Sequence, residues 1–167
     1  MQVDFFKFSE DVKPVKEFGL VDTPPAEINY DENQKDSWNA IVECNNRENY
    51  HFAPLDKKLK IMESFNKEES ICECLLHTEK SICFVELKER KKQHTQKAIE
   101  QLENTIRLFK QNHNIDDFTF KHAYICNRKR PFYNELKNSV CNDFTIKNGV
   151  ALHIGITIEE LDKIGKL

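Results

Sequence analysis

At 167 residues the chain is long enough to bury about 70% of its unfolded surface and is most simply one domain; its 32% charged fraction, scarce Gly and Pro and predominance of Phe among the aromatics describe an ordinary α/β or α+β protein. The net charge of −3 excludes bulk attraction to nucleic acid and leaves that task to local basic patches. No run of about 18 apolar residues is present, and Met1-Gln2-Val3-Asp4-Phe5-Phe6 lacks the basic-then-apolar order of a secretory signal, so the expectation is a cytoplasmic protein without a membrane partner.

Residues 1–35 read as an N-terminal arm or irregular segment, preceding a single domain over residues 36–167. Phe5, Phe6, Phe8 and Phe18 are apolar enough to pack, but Asp22-Thr23-Pro24-Pro25 and residues 30–35 have loop character. The two prolines exclude a continuous helix. A short strand, or an arm that covers the domain or reaches a dimer partner, fits this stretch. Trp38-Asn39-Ala40-Ile41-Val42-Glu43-Cys44 predicts a strand, Asn45-Asn46-Arg47-Glu48-Asn49 a turn of residues that tolerate positive φ, and Tyr50-His51-Phe52-Ala53 an antiparallel return. Leu55, Leu59, Met62 and Phe65 recur at helical spacing and predict a helix over residues 54–67, with Asp56 placed to favour its N-terminus.

Residues 71–90 carry the chemistry. Two apolar runs, 71–76 and 82–87, flank the polar centre Thr78-Glu79-Lys80-Ser81, which is the pattern of a β-hairpin. A loop centred between Glu79 and Lys80 pairs His77 with Ile82 and sets Glu73 opposite Glu86. Alternation puts Glu86 and Lys88 on one face, with Val85 and Leu87 on the other, and Cys72, Cys74 and Leu76 opposite Glu73. Directly opposed carboxylates destabilise a strand pair by up to about 1 kcal/mol, so a cation belongs between them: a hard divalent metal, the lysine, or both. Mg²⁺ is usually held by one or two carboxylates and takes further ligands from water and phosphate. An acid facing acid-x-lysine is therefore a sensible phosphodiesterase site.

A helix follows over residues 91–112, its apolar stripe formed by Ala98, Leu102, Ile106 and Phe109, with Gln101 on the border. Phe118-Thr119-Phe120-Lys121-His122-Ala123-Tyr124-Ile125-Cys126 predicts a parallel strand reached by a right-handed crossover. Pro131 opens another helix. Residues 150–158 predict a final strand and residues 159–167 a short frayed tail. Basic runs Arg90-Lys91-Lys92 and Arg128-Lys129-Arg130 fall beyond the ends of two strands expected to be neighbours, where they flank one groove or serve as solvated loop charge. Of the six cysteines, Cys72, Cys74, Cys83 and Cys126 lie inside predicted strands as small buried hydrophobes and lack zinc-ribbon spacing. The six histidines are scattered, without a ligand pair.

Glu73 with Phe84-Val85-Glu86-Leu87-Lys88 resembles the PD-(D/E)xK nuclease superfamily, the restriction-endonuclease-like fold, whose motif is an acid on one strand and (Asp/Glu)-x-Lys on the next. Glu73 departs from the usual aspartate by one methylene. Ala98-Ile99-Glu100-Gln101-Leu102 resembles the RecB-like segment whose glutamine joins the site. The resemblance covers residues 70–126 and implies a restriction-endonuclease-like core: a hairpin, then a helix and a parallel strand. It implies Mg²⁺, with Mn²⁺ as substitute, held by Glu73, Glu86 and the Leu87 backbone carbonyl, with Lys88 and Gln101 catalytic. Asp56 then becomes a candidate accessory acid, and the two basic runs candidate DNA contacts. The implied activity is that of an endonuclease of restriction, repair or phage-defence type, working on DNA as a homodimer or with a partner subunit that supplies specificity. Three alternatives stay open: a catalytically silent nuclease-fold subunit binding DNA or a protein partner, a structural hairpin with solvated ion pairs, and a zinc protein built on the cysteines.

Overall fold

In the computed structural model, the described residues are 2–88, 95–127 and 134–163. The larger sheet has six strands, in spatial order Glu10–Asp11 (β1), His51–Pro54 (β5), Cys74–His77 (β8), Ser81–Lys88 (β9), Phe120–Asn127 (β10) and Ala151–Ile154 (β11). Strands β1, β5, β8 and β9 are successively antiparallel, while β10 lies parallel to both β9 and β11. The smaller sheet runs Thr157–Ile158 (β12), Ala40–Glu43 (β4), Glu17–Asp22 (β2), Ala26–Asn29 (β3). Met62–Ser64 (β6) and Lys67–Glu68 (β7) form a separate two-stranded ribbon. The helices are Thr95–Asn112 (α1) and Asn134–Asn148 (α2).

Both faces of the larger sheet are covered, which is why β9 reads as an unbroken apolar run. Ile82 and Phe84 point to the helical side, among Ala98, Leu102, Ile106 and Phe109 of α1 and Phe144 of α2. Cys83, Val85 and Leu87 point the other way, among Phe18, Leu20, Val42 and Tyr50. The chain is therefore a mixed α and β protein in three layers, helices on sheet on sheet. The hairpin, the long helix and the parallel strand all form where the sequence predicts them. No helix among the described residues is long and apolar enough to cross a membrane.

Several expectations need correction. Residues 54–67 form no helix: Lys57 takes a φ of +69°. Leu55, Leu59 and Ile61 enter the helical-side core, whereas Met62 and Phe65 are exposed, so the spaced apolar residues never share a face. Asp56 accordingly caps no helix. The turn at Asn45 and Asn46 does take positive φ, but the returning strand β5 leaves its predicted partner β4 and enters the larger sheet. The reason is two-sided burial: Tyr50 and Phe52 pack in one core and Ala53 in the other, which calls for a position covered on both faces.

Residues 1–35 contribute β1, β2 and β3, and Phe5 packs edge-on to Phe109 of α1. Strand β2 is internal to the smaller sheet, pairing with both β3 and β4. Gly19 lies against the indole of Trp38, where a Cβ would sit 2.1 Å from the ring. The predicted final strand divides at Gly155 into β11 and β12, which belong to different sheets. The segment after it is no frayed tail through residue 163. Leu161 is buried, its N–H donates to Tyr50 Oη at 2.8 Å, and Asp162 Oδ1 accepts from Thr78 Oγ1 at 2.6 Å and Ser81 Oγ at 2.5 Å. Cys72, expected on the face opposite Glu73, packs in the helical-side core because its N–H turns to Thr105 of α1.

Candidate functional site

The open end of the β8–β9 hairpin brings the acid, the acid and the lysine together. Its ladder runs His77↔Ile82, Leu76↔Cys83, Leu75↔Phe84 and Cys74↔Val85. The next step of that register sets Glu73 against Glu86, as alternation predicts. Glu73 is held from behind, its carbonyl accepting from the N–H groups of Leu55 at 2.9 Å and Asp56 at 3.3 Å. Helix α1 is tied to the same spot: the Cys72 N–H donates to Thr105 Oγ1 at 2.8 Å, and that hydroxyl donates to the Gln101 carbonyl at 2.6 Å. Backbone on either side of Glu73 is thus fixed relative to Gln101.

Lys88 joins the two elements. Its Nζ lies 3.1 Å from Glu86 Oε2 and donates to Gln101 Oε1 at 3.1 Å. The contact with Glu86 is an ion pair. Glu86 is fully buried and Glu73 nearly so. Glu86 Oε1, Glu86 Oε2 and Glu73 Oε2 are buried without a directed hydrogen bond among the described residues.

Burial pushes the Glu73 carboxyl up to about 8, assisted by the neighbouring charges of Glu86, Asp22 and Asp56 and opposed by Lys88. Burial likewise raises Glu86 to about 7, with Lys88 the largest opposing influence and Asp56 adding to the rise. The two titrate as a pair that shares protons through the neutral range.

Glu73, Glu86, Lys88 and Gln101 are thus brought together by β8, β9 and α1. Asp56 stands close enough to act on both carboxylates. Leu87 turns its side chain into the core between the sheets, so only its backbone is available to the site. Arg90, Lys91, Lys92, Arg128, Lys129 and Arg130 lie outside the described residues. The strands that precede these two runs do end side by side, Lys88 pairing with Asn127. Sequence reasoning missed Asp22, whose charge also acts on Glu73. It sits at the end of β2 just before the cis Pro24–Pro25 bond, and no local pattern marks it as part of a site about 50 residues further along the chain.

The donor chemistry suits a hard divalent cation: two buried carboxylates whose charge is offset by one lysine. Among the described residues no three His, Cys, Asp or Glu side chains form a metal-holding group. A two-carboxylate Mg²⁺ site does not require one, since water and phosphate complete its shell. Cys44, Cys72, Cys74, Cys83 and Cys126 are buried thiols outside any disulfide. Comparison with protein-family models, curated proteins and solved structures gave no match.

Proposed function

We propose that the protein is a metal-dependent phosphodiester hydrolase acting on DNA, with a restriction-endonuclease-like core formed by β8, β9, α1 and β10. The observation that carries this reading is the pair of neighbouring buried carboxylates, three of whose oxygens make no directed hydrogen bond among the described residues, beside a lysine held by a glutamine. Their raised proton affinity marks a position that disfavours two bare negative charges, which a bound cation relieves.

Glu73 and Glu86, with the Leu87 carbonyl, would hold Mg²⁺ or Mn²⁺, which supplies a lowered pKa for water and charge stabilisation on phosphate. The chain's own groups do the rest. Lys88, steered by Gln101 Oε1, presents its ammonium to the developing negative charge on the phosphate and positions the attacking water by hydrogen bonding to its oxygen. Gln101 has an amide nitrogen left to orient that water while its oxygen holds the lysine. Asp56 adds negative potential at the mouth and serves as accessory acid. Sequence choice on DNA is supplied by a second copy of the chain or by a partner subunit.

The test is incubation of the purified protein with supercoiled plasmid, single-stranded DNA and RNA in Mg²⁺, Mn²⁺ or EDTA, beside Glu86→Ala and Lys88→Ala. The expected outcome is cleavage that needs the metal and falls by about 10²–10³ in both variants while their folds persist. Equal cleavage by Glu86→Ala overturns the site. A folded parent that neither cleaves nor binds divalent ions favours the silent-subunit reading instead.

A further inference from the structure

Residues 2–11 lie against α1 and the edge of the larger sheet, and three imidazoles make the fastenings. Val3 donates its N–H to Asn112 Oδ1 at 2.7 Å, and Phe5 donates its N–H to His113 Nε2 at 3.1 Å. Phe5 is buried, its ring edge-on to Phe109 and to His113. Ser9 Oγ lies 2.8 Å from His77 Nε2, Phe6 stands edge-on to the same ring, and Asp11 Oδ1 lies 2.8 Å from His51 Nδ1. Glu10 and Asp11 then pair with Phe52 and His51, so β1 covers the edge of β5.

Two of these rings hold the segment only when neutral. A backbone N–H can only donate, so His113 Nε2 must accept, which a protonated ring cannot do. Phe5, Phe6 and Phe109 surround that ring with centroids 4.8–5.7 Å away, and burial holds it below the ordinary imidazole range. Asp4 and the carbonyl end of α1 pull the other way, but a proton on Nε2 would still set N–H against N–H. His77 is displaced further. Burial, with His51 stacked on it at 5.0 Å, takes it down to about 4. A proton on His51 closes its contact with Asp11 as an ion pair and places a charge beside His77.

Once the segment leaves, His77 and His113 meet water and return toward the ordinary 6.5. The held state therefore binds fewer protons than the released one. Its hold is full above about pH 6.5 and falls as pH drops toward the folded values. For His77 alone, a ring at 6.5 when released and about 4 when held weakens the hold by up to about 100-fold at pH 4.5. Glu73 and Glu86 shift stability in the opposite sense over this range, so the segment loosens where the metal-free body does not.

We propose that residues 2–11 form an acid-released latch, seated on α1 and β5 through neutral His77 and His113. Its release bares the edge of β5, whose backbone groups are then open to another strand. This holds whether or not the open end of the hairpin cuts DNA.

Peptide-resolved hydrogen exchange between pH 7.5 and 4.5 in EDTA, corrected for the intrinsic rate at each pH, tests the latch in the parent and in the double variant His77→Gln/His113→Gln. Glutamine does not titrate, and its amide oxygen still accepts from the Phe5 N–H. In the parent, protection of residues 2–11 falls by about 10- to 100-fold toward pH 4.5 while β9 and β10 keep theirs, and in the double variant the segment's protection is independent of pH. Protection that is flat in the parent, a loss shared equally by β9 and β10, or a double variant that keeps the pH dependence each overturns the latch. Proton NMR of the parent's imidazole resonances decides the matter if the double variant fails to seat the segment. Titration of His77 and His113 below 6.5, in step with the loss of protection, supports the latch, and titration at 6.5 sinks it.

Discussion

The two ends of one hairpin treat buried polar groups in opposite ways. At the turn of β8 and β9, the hydroxyls of Thr78 and Ser81 are buried, and both donate to Asp162. Thr78 Oγ1 in turn accepts from the N–H groups of Lys80 at 3.2 Å and Ser81 at 3.0 Å. At the open end, two buried carboxylates, Glu73 and Glu86, share one lysine, and Glu73 Oε2 and both Glu86 oxygens make no directed hydrogen bond among the described residues. A satisfied buried network stabilises and specifies structure, whereas an unsatisfied one costs stability and persists where a ligand completes it. The turn end reads as architecture and the open end as a site.

Asp162→Ala puts the largest strain on this contrast. It strips two buried hydroxyls of their acceptor, and we expect a loss of about 2–3 kcal/mol, or about 4–12 °C in Tm, with the cleavage rate per folded molecule unchanged. Denaturant unfolding alongside a plasmid assay checks both halves, and a fall in rate would erase the distinction between the ends.

The open end should behave in the opposite sense. Glu73 and Glu86 keep protons when folded, at pH values where an ordinary carboxyl near 4.5 has released them in the unfolded chain. The folded state therefore binds more protons, and stability of the metal-free protein falls as pH rises from about 4.5 toward 8. Glu73→Gln is expected to raise stability at pH 8 by on the order of 2 kcal/mol, a gain that shrinks toward zero by pH 4. Added Mg²⁺ raises the parent's Tm at pH 8 and leaves Glu73→Gln nearly unmoved. Thermal melts across pH, with and without Mg²⁺, read this directly.

The smallest effect sharpens the contrast within the site itself. Gln101→Ala releases Lys88 without touching either carboxylate, so we expect about a tenfold loss in kcat, near 1.4 kcal/mol, with Mg²⁺ affinity retained. Isothermal titration paired with single-turnover kinetics separates the two; lost affinity with unchanged kcat would make Gln101 part of the metal shell instead.

What was legible in the chain follows from what each residue depends on. The hairpin register and the common side of Glu86 and Lys88 rest on period and short separations, so alternation sufficed, whereas Gln101 was suggested only by the resemblance carried by residues 98–102. Residues 54–67 failed because helical spacing of Leu55, Leu59, Met62 and Phe65 is also produced by a turn that buries the first two and a ribbon that exposes the last two, and only tertiary packing chooses. Strand β5 failed because partner choice is decided by Tyr50 and Phe52 packing against distant chain. Asp22 left no signal because its relevance arises only when β2 is placed in a second sheet beside the hairpin.

The step at Gly155 has a consequence for how the molecule is made. Just before it β11 extends the larger sheet; just after it Thr157 and Ile158 pair with Ile41 and Val42 of the smaller one. Leu161 then reaches Tyr50 and Glu160 reaches Asn45, contacts spanning 111 and 115 residues of sequence. Such distant parallel pairings close slowly. Until residue 162 has left the ribosome, the smaller sheet lacks an edge strand and the hairpin turn lacks its carboxylate. Closure of the smaller sheet's edge and of the hairpin turn therefore waits on residues 157–162, and chains stalled short of them display an open strand edge to chaperones and proteases.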